Sequence, residues 1–220
     1  MSSTRTILAV PGLAATSPAF RAGLWELADR NGWDADAIAA VIASESGFEP
    51  SVKNPLPGQT ATGLLQWIDS TARKVLGLRN GVADLRAMTR EQQLPLVEKF
   101  YRASSVPPGA RPVDYYLAGW GSGIGKPLDH VLARESDERK FNGGRDNLYT
   151  LNRGLDADGN GEITVADIAA KVAAMQAKAK GQRLDASAIG PSGAQLLAAA
   201  APALLALGVV GAALQWKGKV

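Results

Sequence analysis

No stretch of this chain alternates apolar and polar residues at period two, whereas several repeat apolar positions every three to four residues, so the core is expected to be mainly α-helical. Over residues 17–31, Phe20, Leu24, Trp25 and Leu27 recur at helical spacing, and Gly32 ends the run. Asp34 then caps a second helix through Ile38, Val41 and Ile42 to about Ser46, with Asp36 adding negative charge near its positive end. Gly47 and Pro50 stop it. Residues 49–61, with Pro55, Pro57 and Gly58, read as an exposed loop. Helical patterning resumes at Leu64, and further helices are expected over 70–75, 89–103 (capped by Thr89) and 113–120.

At 220 residues the chain has room for one ordinary domain and an appendage. Its 46% hydrophobic and 20% charged residues make a globular balance. The formal charge of +3, without a basic run interleaved with aromatics, argues against a nucleic-acid partner. With no cysteine, disulfides and thiolate metal sites are excluded. The apolar run Ile7-Leu8-Ala9-Val10, broken by Pro11, is too brief to read as a secretory leader. The lone His130 has no partner for metal or nucleophilic chemistry and reads as structural.

Glu45 stands out because it closes an apolar helix. The negative end of the helix dipole and the neighbouring hydrophobic side chains both disfavour its charged form, so its pKa should be raised. A carboxyl that stays protonated near neutral pH is what protonation of a glycosidic oxygen requires.

Three separated motifs then resemble the lytic transglycosylases of the lysozyme-like superfamily. In residues 42–50, Glu45 is followed by Ser46, Gly47 and Phe48, like the family's helix end bearing the catalytic Glu. Gly63-Leu64-Leu65-Gln66 is similar to the family's Gly-Leu-Met-Gln segment, whose Gln faces the sugar. Tyr116-Leu117-Ala118-Gly119 looks like its Tyr-Asn-Ala-Gly segment, with Leu117 where the family has Asn. The resemblance implies Glu45 as catalytic acid, Ser46, Gln66 and Tyr116 as substrate-binding residues, and peptidoglycan glycan strands as substrate. It also implies a 1,6-anhydro product, with Glu45 acting first as acid and then as base. Hydrolysis is the alternative outcome, and in the two-carboxylate form it needs a second acid across the scissile bond, for which Glu49 and Asp69 are nearest in sequence. Tyr115, Trp67 and Trp120 are further candidates for stacking on sugar rings, though aromatics at helical spacing are more often core.

Residues 156–167 resemble an EF-hand calcium loop. Oxygen-bearing side chains fall at Asp156, Asp158, Asn160, Thr164 and Asp167, with Glu162 between them, Gly161 at the sharp turn and Ile163 as an apolar anchor. A structural Ca2+ is expected there, with Asp167 standing where the usual pattern has Glu. Residues 196–214 carry no charge over a length that would span about 28 Å as a helix, close to a bilayer core. Pro202 and the abundance of alanine equally suit packing in a protein assembly.

The expected organisation is an N-terminal segment (1–16), a lysozyme-like catalytic domain (17–145), an EF-hand-like loop and helix (146–181), a linker (182–195) and a transmembrane or assembly helix (196–216). The expected setting is a phage virion carrying a wall-cutting enzyme into the bacterial envelope, with self-assembly or other virion proteins as further partners. The rival reading is a catalytically inactive glycan-binding or structural virion protein.

Overall fold

The computed structural model describes residues 5–53, 60–138 and 147–187. The apolar segment 196–216 lies outside them. Among the described residues no helix is long and apolar enough to cross a membrane.

The chain enters as strand β1 (Thr6–Leu8) and turns into helix α1 (Pro18–Asn31). Ser17 caps α1 by accepting from the Phe20 amide at 2.9 Å, and Pro18 occupies the first turn, where its missing N–H is not needed. Gly32, at φ 65°, supplies the left-handed turn into helix α2 (Ala35–Ser46). Asp34 caps α2 through the amides of Asp36 and Ala37 at 2.8 and 3.1 Å. Ala37, Ile38, Ala39, Ala40 and Ile42 of α2 are all fully buried, which makes it the central helix. Burying an isoleucine side chain contributes roughly 1.5–3 kcal/mol, so Ile38 and Ile42 anchor α2 firmly.

The middle of the chain supplies α3 (Asp69–Lys74), α4 (Val82–Arg86), α5 (Arg90–Ala103) and α6 (Pro112–Leu117). A reciprocal capping box between Thr89 and Gln92 starts α5, which packs along α1. Two clusters form the interior. The larger surrounds α2, while the smaller gathers Val113, Leu117, Ala133, Tyr149, Ile163, Val165 and Ile168.

The last part contains strand β2 (Val131–Arg134), the short helix α7 (Leu148–Asn152), strand β3 (Glu162–Thr164), helix α8 (Val165–Ala177) and strand β4 (Arg183–Asp185). β2 and β3 pair antiparallel, with Arg134 opposite Glu162. α8 packs across α2 and α6.

Three expectations change. Residues 64–67 are a turn, not a helix, because Gly63 and Gln66 both have positive φ (86° and 47°), and Thr62 bridges to Lys53 and Trp67. The N-terminal segment is built into the fold, with Ile7 and Leu13 fully buried. The start of the expected linker is β4, which pairs antiparallel with β1. The reason is a long-range latch: Asp36, besides its place in the first turn of α2, accepts from the Leu8 amide at 2.8 Å and from Arg183 Nη1 at 2.9 Å.

Candidate active site

Glu45 lies one residue before the end of α2, where Gly47 (φ 58°) and Phe48 (φ 68°) reverse the chain. A positive φ is uncommon for a residue with a side chain. Here Phe48 is held by burial, its ring meeting Phe20 edge-on at 5.8 Å between centroids. The turn leaves Glu45 half-buried at the mouth of a cavity of about 220 Å³.

The cavity wall assembles from distant parts of the sequence. Val41 and Glu45 come from α2, Leu65 and Gln66 from the turn after Gly63, Phe100 from α5, Tyr116 and Trp120 from α6 and the turn beyond it, and Asn152 from α7. Glu45 is the one carboxylate among its described lining residues. Both neighbours considered as a second acid are engaged elsewhere. Glu49 accepts from the Ser51 hydroxyl at 2.7 Å, and Asp69 accepts from Arg73 at 2.7 Å and from the Val82 amide at 3.1 Å. These contacts lower both their pKa values.

Burial pushes the Glu45 pKa up, the direction expected of a proton donor, while the neighbouring Tyr116 hydroxyl and the positive charge of Lys171 partly oppose it. Tyr116 is itself held protonated by burial and by the nearby Glu45 charge. Lys171 Nζ, reaching in from α8, donates to Tyr116 Oη at 2.8 Å and lies 4.8 Å from the centre of its ring. Burial lowers the Lys171 pKa, and the Glu45 charge raises it.

Gln66 is held by its amide nitrogen, which donates to the carbonyls of Val52 and Gly63 at 3.2 and 3.1 Å. Its carbonyl oxygen is thus the atom left to accept from an N–H or O–H donor. The turn beneath it depends on Gln93, a fully buried residue of α5. Gln93 Oε1 accepts from the Leu64 amide at 2.9 Å, and its Nε2 donates to the carbonyls of Pro50 and Leu85 at 2.8 and 2.9 Å. A Cβ on Gly63 would sit 2.8 Å from Gln93 Oε1, so both space and φ demand glycine there.

The structure therefore brings Glu45, Gln66 and Tyr116 around one cavity. Ser46 is not among the lining residues, and its hydroxyl donates to the carbonyls of Leu64 at 3.0 Å and Ile42 at 3.2 Å, tying the end of α2 to the Gln66 turn. Leu117 is fully buried in the smaller cluster. Trp67 belongs to the core, and Tyr115, only 1% exposed, lines the cavity while its hydroxyl accepts from the Asp34 amide at 2.8 Å. Trp120 is half-buried and lines the cavity.

Sequence reasoning missed Lys171, Asn152 and Gln93. The i, i+3, i+7 spacing of Val165, Ile168 and Val172 shows the buried face of α8, but nothing local shows that Lys171 beside it meets Tyr116.

In the Asp-rich loop the oxygens expected to hold calcium are occupied within the protein. Asp156 accepts from the amides of Gly159, Asn160 and Gly161 at 2.8, 3.2 and 3.0 Å, and from the Tyr149 hydroxyl at 2.7 Å. Asp158 accepts from the Asn160 side chain at 3.0 Å, and Asn160 Oδ1 accepts from the Glu162 amide at 2.8 Å. Glu162 pairs with Arg134 at 2.8 Å, and Thr164 and Asp167 cap α8 reciprocally. Hard oxygen donors and the Gly161 turn (φ 86°) suit a calcium loop. Among the described residues no group of three or more His, Cys, Asp or Glu side chains is placed to hold a metal ion.

Compared with known proteins, residues 15–90 match the family model described as Transglycosylase SLT domain. Nothing matches among the curated proteins or among the solved structures. An SLT-type lytic transglycosylase domain is therefore present over residues 15–90, within a mainly α fold, and the enzyme class is lytic transglycosylase acting on peptidoglycan glycan. The matched stretch contains Glu45 and Gln66 and ends before Tyr116.

Proposed function

We propose that Glu45 is the single acid and base with which this enzyme cleaves the MurNAc–GlcNAc bond, leaving a 1,6-anhydro end. The observation that carries the reading is a raised-pKa carboxyl standing as the one carboxylate among the described residues of its cavity wall. The protonated carboxyl gives its proton to the glycosidic oxygen as the C1–O bond breaks, which releases the leaving sugar as an alcohol and builds positive charge at C1 of the muramic acid. The carboxylate left behind removes the proton from the C6 hydroxyl while O6 bonds to C1. Glu45 ends protonated, and no water is consumed.

Gln66 and the aromatic faces of Tyr116 and Trp120 are suited to seat the sugar against the acid. Muropeptide analysis of digested sacculi tests the reading, with Glu45→Gln as the control. The expected product is lighter by one water than a hydrolytic one. A hydrated product would replace the base step with hydrolysis, and wild-type cleavage by Glu45→Gln would remove Glu45 from the chemistry.

Two accessory features are part of the same proposal. The acidic loop at 156–167 binds Ca2+ as a structural ion, supported by its donor chemistry and the Gly161 turn. Calorimetric titration with CaCl2 is expected to give a saturable isotherm that Asp156→Ala abolishes, and a flat wild-type isotherm would exclude it. Residues 196–216 associate with membranes, supported by their uncharged length. Vesicle flotation of the full chain against a chain ending at residue 187 checks this.

A further inference from the structure

Lys171, like Tyr116, comes from outside the matched stretch. Lys171 sits on α8, whose Ile168 and Val172 are 0% and 2% exposed, so the helix cannot turn without exposing apolar surface. Its ammonium donates to Tyr116 Oη at 2.8 Å. With that oxygen accepting, the phenol's own proton is directed away from the lysine, and Tyr116 lines the same cavity as Glu45. A phenol that accepts from a cation is a stronger donor in turn.

We propose that Lys171 is a positioning residue of this centre: from α8 it anchors the Tyr116 hydroxyl against Glu45 and supplies the positive charge that favours the carboxylate once its proton has left. The inference rests on Glu45 being the acid and base. It accounts for a difficulty built into a one-carboxyl mechanism. Burial suits the first step, which needs the protonated acid, but opposes the second, which begins from the anion. A fixed cation linked through a phenol offsets part of that burial cost without adding a second carboxylate. The titratable groups facing Glu45 are Tyr116 from α6, Lys171 from α8 and Tyr101 from α5. Of these, Lys171 is the one that carries positive charge.

The test uses the full-length chain and three substitutions: Lys171→Met, which removes charge and hydrogen bond but keeps the apolar stem, Lys171→Arg, which restores the charge, and Glu45→Gln. Muropeptide release is measured against pH, and the Glu45 carboxyl is titrated by carbon-13 NMR, its signal identified by its absence in Glu45→Gln. In Lys171→Met, kcat is expected to fall roughly tenfold or more through misplacement of the acid. The alkaline limb of kcat/KM and the Glu45 titration should both move to higher pH, and Lys171→Arg should return them toward wild type. A folded Lys171→Met whose limb and titration stay in place overturns the inference, whatever happens to its rate. If Lys171→Met does not fold, Lys171→Gln carries the same test. An active Glu45→Gln would sink the acid assignment itself, whereas an inactive Glu45→Gln beside an unmoved limb sinks only the role of Lys171.

Discussion

Residues 15–90 and residues 112–187 contribute to the same cavity in different ways. The first region contains the SLT match, Glu45 on α2 and the Gln66 turn. The second contributes Tyr116, Trp120 and Asn152 to its wall, and Lys171 reaches Tyr116 because α8 packs across α2 and α6. Chemistry that depends on one ionisable group at a helix end can be written in a short motif. The environment that sets that group's proton affinity must come from whatever packs against it, and here much of that is a hundred residues away.

The largest effect should come from the first region. Glu45→Gln is expected to lower glycan cleavage by about a hundredfold or more, the usual contribution of a general acid. The same substitution should raise the melting temperature at neutral pH. A carboxyl whose folded pKa lies above its unfolded value contributes stability that is full below the unfolded pKa and is lost as pH rises through the folded one. Glutamine is neutral throughout and avoids that loss, so the gain should shrink as pH falls toward the ordinary glutamate range. Thermal melts of both proteins across that range read the sign directly.

The second region is tested by Ile168→Ala. Ile168 is fully buried in the smaller cluster, and truncation should cost about 2–5 kcal/mol in chemical denaturation. If α8 serves the cavity, cleavage per folded molecule should fall too, though no matched residue has changed. Unaltered turnover by the folded variant would break the comparison and leave the first region self-sufficient.

A smaller loss is expected from Gln93→Leu. Replacing that amide leaves the buried Leu64 amide without its acceptor, at a cost of about 1–3 kcal/mol. KM should rise more than kcat falls, since the Gln66 turn rather than the acid is loosened. A fall in kcat with KM unchanged would place the defect at Glu45 instead.

Smallest is the clamp between α1 and α5. Glu98 accepts from Arg30, Asn31 and Arg102, which hold its pKa at about 2 despite burial. Its arginine partners are 39% and 59% exposed, so solvent screening limits Glu98→Gln to roughly 1 kcal/mol. A depressed carboxylate pKa stabilises above the unfolded value and loses that contribution as pH falls through the folded one. The two proteins should therefore differ at pH 7 and converge near pH 2.

The helices around the acid were legible because their signals are local. Ser17, Asp34 and Thr89 cap as their residue types dictate, and Gly32 and Gly47 end helices in the left-handed region. The Gln66 turn was misread as a helix because Leu64-Leu65 is apolar enough to continue one. What prevents it is the pair of positive φ values and the side chain of Gln93, 29 residues onward. α7 was missed because five residues are too few to show a period, although Asn147 caps it by accepting from the Thr150 amide at 2.8 Å.

Residue order alone determined the mainly helical class, the Glu45 carboxyl at the end of α2 and its grouping with Gln66 and Tyr116, since period, caps and short motifs act within a few residues. Tertiary structure decided that β1 and β4 close together over Asp36, that Ser46 bonds the backbone outside the cavity wall, and that Lys171 meets Tyr116 across 55 positions. Such contacts arise from burial and hydrogen bonding between surfaces that meet only after folding, and they leave no periodic trace in the chain.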